Sequence, residues 1–468
     1  MKLYSENKDY KLYNGNMLDM AEVIEPNSID AIITDPPYEL NFMNKGWDNS
    51  GIAFNKDAWK KCYDALKPGG HLLAFGGSRT FHRIACAIED AGFEIRDTIF
   101  WIYGSGFPKS MNIGLAIDKR NGVESEVVGT GRSGSSDTHT RCMNSETKDG
   151  KSVFGGEYEI KQAQNEWNGW GTQLKPSYEP IIVARKPVEN SIIDNVLKYG
   201  VGGIDIDECR VGNESISTHN APKGTFAGGD WERGSDTTSY REHEGRFPAN
   251  IILTYDDNDF NEVCGGFPTT KGNNTNELGN FGFAWEEKRD SKPMAHGYID
   301  EGSAARYFYC AKASKFDRDE GLDGFEEKKC SMLATNDNID KDGNFTGMLK
   351  GRETKRANTH PTVKPTELIR YLVRLVSPKG ATILDCFNGS GSTGKAVMLE
   401  NKEFNKEYKY IGIELTEEYL PISKARIEYI CNNEFDFSKD KRKALTNNTT
   451  KVEKVETKKE VLKEIDLW

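Results

Sequence analysis

No run of apolar residues in this 468-residue chain approaches the roughly 20 that a bilayer-spanning helix needs, which excludes a helical membrane protein. The opening MKLYSENKDY is polar throughout and lacks the apolar core of a signal peptide, so the expected compartment is the cytoplasm. The nine cysteines (Cys62, Cys86, Cys142, Cys209, Cys264, Cys310, Cys330, Cys386, Cys431) are widely scattered, with no CxxC pair and no His cluster beside them. That spacing supports neither a zinc site nor a disulfide framework, and no metal is expected. Positive charge is also short. Lys and Arg number 62 against 73 Asp and Glu, a net charge of -11, which taken whole argues against a nucleic-acid partner. Local charge matters more. The segment from Lys350 to Lys379 carries eight basic residues against Glu353 and Glu367, so it forms either an electropositive face or an ordinary solvated helix face. There is no internal repeat, helix-turn-helix or zinc finger.

What is present is an α/β rhythm at both ends of the chain. Ser28 to Thr34 reads as a buried strand, Trp59 to Leu66 as a helix, His71 to Phe75 as a strand, Phe81 to Ala91 as a helix and Ile95 to Tyr103 as a strand. Lys67-Pro68-Gly69-Gly70 breaks the first helix and turns into the next strand. From Gly104 to Gly171 the chain is rich in Gly, Ser, Thr and Asn, as in Gly129 to Thr140, and is expected to be a mobile loop. Tyr178 to Ala184 returns as a strand, and Asn190 to Asp340 is irregular. The rhythm resumes with the amphipathic helix Thr366 to Val376, the strand Thr382 to Cys386, a helix starting at Gly394, and the strand Tyr408 to Glu414. Lys439 to Trp468, dense in Lys and Glu, reads as a solvated helix or a disordered tail.

Residues Ile383 to Lys395 (ILDCFNGSGSTGK) combine a strand, a glycine-rich turn and a helix start, a turn that lets a ligand lie against bare backbone. Gly389, Gly391 and Gly394 satisfy a dinucleotide-binding pattern, and Gly389 to Lys395 satisfies most of a phosphate-binding loop. Ala396 stands where the latter needs a hydroxyl for Mg²⁺, which leaves a Mg-dependent nucleotide hydrolase as the weaker alternative. Asp385 at the strand end and Phe387 before the first glycine suit a ligand with a cationic methionine part better than a pyrophosphate. The form Asp-x-Phe-x-Gly-x-Gly resembles the cofactor loop of S-adenosylmethionine methyltransferases. Glu414 ends the next strand, where an acid can accept both ribose hydroxyls.

Thr34-Asp35-Pro36-Pro37-Tyr38 follows directly on an apolar strand. Two consecutive prolines fix the backbone and remove its N–H donors, leaving carbonyls free to accept. An exocyclic amine on a base is a poor nucleophile because its lone pair is delocalised into the ring. The Asp35 carboxylate and the Pro36 carbonyl, each taking one N–H, would draw that nitrogen toward tetrahedral geometry, and Tyr38 would stack on an extruded base.

Together these residues resemble the site-specific N6-adenine and N4-cytosine DNA methyltransferases. The order, DPPY first and the glycine loop last, is similar to the β-type arrangement, in which target recognition lies between them. Leu66 to Gly77, Gly169 to Pro187 and His360-Pro361-Thr362-Val363-Lys364-Pro365 extend the likeness. The resemblance implies a Rossmann-like α/β sheet formed from both chain ends, with an inserted target-recognition domain. It implies catalytic roles for Asp35, Pro36, Pro37 and Tyr38. It implies S-adenosyl-L-methionine contacts from Asp385, Phe387, Asn388, Gly389, Gly391, Thr393 and Glu414, with Thr362 and Lys364 holding the methionine carboxylate. Gly15-Asn16 stands where the family commonly has Gly-Asp, so a cofactor contact from Asn16 is weakened. Asp35 favours N6 of adenine, since Ser at that position would favour cytosine, and N4-cytosine methylation is the alternative. The expected division is a catalytic part at 1–110, a loop insertion at 111–170, a return strand at 171–190, target recognition at 191–350, cofactor binding at 351–431 and a charged tail at 432–468. Expected partners are double-stranded DNA and the cofactor, with no membrane; a homodimer and a cognate restriction nuclease are further candidates.

Overall fold

The protein is described here from a computed structural model, for residues 1–40, 50–103, 110–132, 157–219, 240–254, 269–271, 301–303, 309–310, 315–330 and 354–437. Its organising element is a ten-stranded sheet in the order Lys2–Glu6, Tyr10–Asn14, Lys409–Glu414, Thr382–Asp385, Ile29–Thr34, Leu66–Phe75, Tyr178–Arg185, Glu94–Tyr103, Ile251–Thr254, Tyr309–Cys310. The middle of the sheet joins the two chain ends in parallel: Ile383 pairs with Ala31 and Tyr410 with Tyr10. This is the Rossmann-like α/β sheet expected from the sequence. All six residues of Ile29–Thr34 are buried, as a parallel strand covered on both faces requires.

Chain direction creates the crevice. From Ile29–Thr34 the chain moves one way to its parallel neighbour Leu66–Phe75, and from Thr382–Asp385 it moves the other way to Lys409–Glu414. The switch point therefore lies between Ile29–Thr34 and Thr382–Asp385, and ligands of such sheets bind beyond the carboxyl ends of those strands. Asp35 and Asp385 stand there.

Flanking helices follow their sequence signals. Lys56–Ala65 is capped by Asn55, whose side chain accepts from the Asp57 amide at 2.9 Å. Its Trp59 is fully buried and donates through Nε1 to the Ala53 carbonyl at 2.9 Å. The turn Lys67–Gly70 does not precede a strand but lies inside one, because the pairing skips from Ile29↔Leu66 to Ala31↔His71 and absorbs the extra residues. Gly69 has φ +80, and a Cβ there would lie 2.2 Å from Asn195 Nδ2, which donates to the carbonyls of Pro68 and Val201. Helix Ile192–Tyr199 is docked by that amide.

The described side chains of the basic segment, Lys364, Arg370, Arg374 and Lys379, are each paired with a carboxylate rather than gathered on one electropositive face. Helix Thr366–Val376 buries Arg370 between Glu367 (2.9 Å), Glu400 (2.6 Å) and Glu403, and Arg374 reaches Glu400 at 3.1 Å. Lys364 is buried too, and Lys379 pairs with Glu407 at 2.8 Å. Arg370 and Arg374 bind the helix to its neighbour Ser392–Phe404; Lys350 and Arg352 lie outside the described residues, as do the side chains of Lys355 and Arg356.

Two compact units divide the chain. The first comprises Met1–Ile102, Glu179–Thr254 and Phe267–Trp468. It includes strands Ile251–Thr254 and Tyr309–Cys310 of the main sheet and the hairpin Val211–His219 with Tyr240–Arg246. The second comprises Tyr103–Tyr178 and Tyr255–Gly266. Part of this Gly-rich interval is regular: helix Ile113–Asn121 starts on an Asn112 cap and ends on Gly122 at φ +69, and Glu126–Arg132 pairs with Glu157–Gln162. Asp118 organises it by accepting from Gln164 N and Asn165 Nδ2. Lys439 to Trp468 lies outside the described residues. No helix among the described residues is long and apolar enough to cross a membrane.

Candidate active site

Asp35 leaves the end of the buried strand with 21% of its side-chain surface exposed. Its two oxygens differ. Oδ2 accepts from Lys364 Nζ at 2.6 Å, whereas Oδ1 is buried with no hydrogen-bond partner. An unsatisfied buried acceptor costs about 1–3 kcal/mol, so it is a place where a donor on a ligand is favoured. Burial raises the Asp35 carboxyl above its ordinary value and the Lys364 ammonium works against that rise. Pro36 is buried and Pro37 partly so. Tyr38 is held at both ends: its carbonyl accepts from Thr80 Oγ1 at 2.8 Å and its hydroxyl donates to Glu179 Oε2 at 2.6 Å.

The glycine loop begins at Asp385, where Thr34 Oγ1 and the Phe387 amide donate to Oδ1 at 2.7 and 3.1 Å. The Thr393 hydroxyl also bonds this carboxyl, yet burial outweighs all three and pushes it up to about 6. Phe387 leans on the core with its ring 6.4 Å from that of Trp59. Gly389 and Gly391 have φ of +51 and +74, left-handed values that cost a side chain about 1–2 kcal/mol. Glu414 ties the loop to the next strand, its Oε2 accepting from Gly389 N at 2.7 Å and its Oε1 from Thr416 N at 2.8 Å. Asn388 turns inward: its amide donates to Ser423 Oγ at 2.9 Å and its Oδ1 accepts from Tyr410 at 2.7 Å. Its own N–H is spent on Ile413 O. Asn388 therefore shapes the turn from below.

Two residues grouped by sequence are separated. Thr362 is exposed, its amide 3.4 Å from His360 Nδ1, while Lys364 points to Asp35. Asn16 lies near the same sheet end, following Gly15, whose N–H donates to Glu414 O at 3.0 Å; its side chain caps a short helical turn by accepting from Leu18 N at 3.0 Å.

Several residues escaped the sequence reading. His360 packs edge-on to Tyr419 at 4.6 Å, and a Cβ on Gly389 would lie 2.8 Å from its Nε2. Burial and the nearby Lys364 and Arg318 cations push its imidazole down to about 3, so it is neutral at working pH. Arg426 supports the loop by donating to Ser390 O at 2.7 Å. Lys395 is fully buried and bonds Asp317 Oδ1 at 2.7 Å, Asp317 O at 2.9 Å and Glu320 Oε2 at 2.8 Å. All three ammonium protons are thus engaged, which removes the lysine that a phosphate-binding loop would offer. In sequence, Glu179 and His360 gave no signal beyond their positions in matching stretches.

A family model described as DNA methylase, for the N6/N4 methyltransferases, matches residues 29–425. The Type II methyltransferase M.HpaI of Haemophilus parainfluenzae is 35% identical over 109 residues, 22% of this chain and 34% of that protein. Type II methyltransferase M.HindIII of Haemophilus influenzae is 21% identical over 235 residues, 41% of this chain and 63% of that protein. The chain thus spans less than two thirds of the length of these curated relatives. Among solved structures, the cytosine-N4-specific PvuII DNA methyltransferase matches with a TM-score of 0.40 at 13% identity, covering 92% of this chain and 93% of that one, too weak a superposition to bear on the target base. The family match runs through both the Asp35 turn and the glycine loop over most of the chain, and the chain belongs to the N6/N4 DNA methylase family.

Proposed function

We propose that this protein methylates the exocyclic amine of a base in double-stranded DNA, with N6 of a flipped adenine as the target. The observation that carries the reading is the buried Asp35 Oδ1, an acceptor without a donor at the switch point of the sheet. An exocyclic amine supplies that donor.

The residues beside it suit S-adenosylmethionine. Asp385 and Glu414 end adjacent parallel strands, and a cationic amino head and a ribose diol need two such acceptors. Phe387 offers an aromatic surface between them. These three residues and the backbone of Gly389 to Gly391 would hold the cofactor. When bound, the cofactor supplies an electrophilic methyl group on a sulfonium.

The remaining work falls to the chain. Asp35 Oδ1 accepts one N–H of the amine and the Pro36 carbonyl accepts the other, which aims the nitrogen lone pair. Tyr38, fixed through its hydroxyl, presents a ring for the extruded base. The nitrogen that gains a methyl gives up one proton, and Asp35, with its carboxyl raised by burial, is the adjacent acceptor. Target recognition is assigned to the part of 191–350 outside the main sheet, since Ile251–Thr254 and Tyr309–Cys310 are strands of that sheet. The Type II names of the relatives favour a place in a restriction–modification pair.

The test is methylation of unmethylated genomic DNA by purified protein with labelled cofactor, followed by nucleoside analysis, with Asp35→Ala as control. N6-methyladenine that disappears in the variant is expected. N4-methylcytosine would keep the chemistry and overturn the base; absence of any methylated base would overturn the reading.

A further inference from the structure

We propose that Glu179 is a positioning residue of the base-binding site: it shares the Lys364 ammonium with Asp35 and holds Tyr38 by its hydroxyl, so that one buried cation sets both the acceptor and the stacking face. The inference rests on the methyltransferase reading above and extends it to a residue outside the DPPY turn and the glycine loop.

Three segments far apart in sequence meet here. Lys364 lies 329 positions from Asp35, and Glu179 lies 141 from Tyr38. Glu179 is carried by strand Tyr178–Arg185, the antiparallel neighbour of Leu66–Phe75, which in turn borders Ile29–Thr34. Lys364 Nζ stands 2.6 Å from Asp35 Oδ2 and 3.4 Å from Glu179 Oε2. It also lies 5.2 Å from the centre of the Tyr38 ring and 5.1 Å from that of Phe75. Two carboxylates therefore draw on one ammonium. The shorter bond goes to Asp35, and Glu179 makes up its share with the Tyr38 hydroxyl at 2.6 Å.

The arrangement has a directional consequence. The titratable groups facing Asp35 are Lys364, Glu179, Tyr38 and, across the strand ends, Asp385. Glu179 pushes the Asp35 carboxyl up and Lys364 pulls it down. Neutralising Glu179 lets the cation act on Asp35 alone and favours the ionised acceptor. Neutralising Lys364 does the opposite. Glu179→Gln keeps an acceptor for the Tyr38 hydroxyl, whereas Glu179→Ala removes it, so the two variants separate charge from the tethering of Tyr38.

The test titrates Asp35 in the intact protein by carboxyl-¹³C NMR, with the resonance assigned through Asp35→Asn, and records the pH–rate profile of DNA methylation beside it. In Glu179→Gln the Asp35 titration and the acid limb of the profile are expected to move to lower pH by about one unit, and in Lys364→Met to higher pH by a similar amount. Glu179→Ala is expected to add a several-fold rise in KM for DNA that Glu179→Gln lacks. An Asp35 titration unchanged in Glu179→Gln, or equal KM effects in the Gln and Ala variants, would overturn the proposal. Shifted titrations in a protein that methylates no DNA would leave this network standing and sink the functional reading instead.

Discussion

Thr34 Oγ1 donates to Asp385 Oδ1 at 2.7 Å across 351 positions of sequence. This buried bond locks the strand that ends in the DPPY turn to the strand that opens the glycine loop. The proposed acceptor for the amine, Asp35, and the proposed acceptor for the cofactor's cationic end, Asp385, are therefore held in one register by a side chain of the first strand and a carboxylate of the second.

Asp385 is expected to make both stability and cofactor affinity pH-dependent. Its folded carboxyl stands at about 6, above the ordinary value of about 4. A raised value means that its stabilising contribution is complete below about pH 4 and is lost as pH rises through 6. Asp385→Asn keeps the acceptor oxygen and does not ionise. Thermal unfolding of the two proteins should show the wild type losing stability relative to the variant between pH 4 and 6, by up to about 3 kcal/mol, with no further change above. Cofactor titrations should tighten over the same interval in the wild type alone. A constant difference from pH 4 to 8 would remove Asp385 from this role.

Asp35→Ala should lower single-turnover methyl transfer by roughly 100-fold or more, the cost of losing one preorganised polar partner of a reacting group. Calorimetry should find cofactor binding within about twofold of the wild type, because Asp35 is held by Lys364 rather than by the glycine loop. Equal losses of rate and of cofactor binding would contradict the assignment.

Lys395→Met tests whether the lysine after the glycines is structural. Its ammonium is enclosed by Asp317 and Glu320, and removing one partner of a buried ion pair costs about 3–5 kcal/mol. Chemical denaturation should show a loss of that order. A fully stable variant, or magnesium-dependent nucleotide hydrolysis that the substitution abolishes, would revive the phosphate-binding reading.

Gly391→Ala should weaken the loop from two causes at once. The residue is at φ +74, and its new Cβ would stand 2.4 Å from Ser423 Oγ and 3.0 Å from Ser423 Cα. Since the second contact is with backbone, the neighbouring helix Leu420–Asn432 must shift. Reduced cofactor affinity and a lowered unfolding temperature are expected; an unaltered affinity would show that the loop tolerates the displacement.

Helix Thr366–Val376 and the strand ending at Thr34 were legible because their signals are local: hydrophobic period, the flanking Pro365, and a run of buried aliphatics. The basic character of 350–379 was legible too, but its destination was not. Glu367 meets Arg370 from three positions away on the same helix, as a solvated pair also would, but Glu400 and Glu403 lie 30 and 33 positions away on another helix, so no window of sequence could tell a solvated stripe from a buried network. Glu179 was hidden for the same reason, as it reads only as the polar start of the strand Tyr178–Arg185.

By itself the sequence determined the α/β rhythm at both chain ends and the two turns where chemistry is expected, because strand periodicity, Pro-Pro and glycine spacing act over a few residues; the joining of the two ends in one sheet was implied only by the family resemblance. Tertiary structure alone decided which charges meet. It put Lys364 on Asp35 rather than beside Thr362, turned Asn388 inward, consumed Lys395 in an ion cluster and left Asp35 Oδ1 without a donor. Pairing of buried charges depends on distances of a few ångströms between segments hundreds of residues apart, and burial fixes its strength. The strand order of the folded sheet sets both.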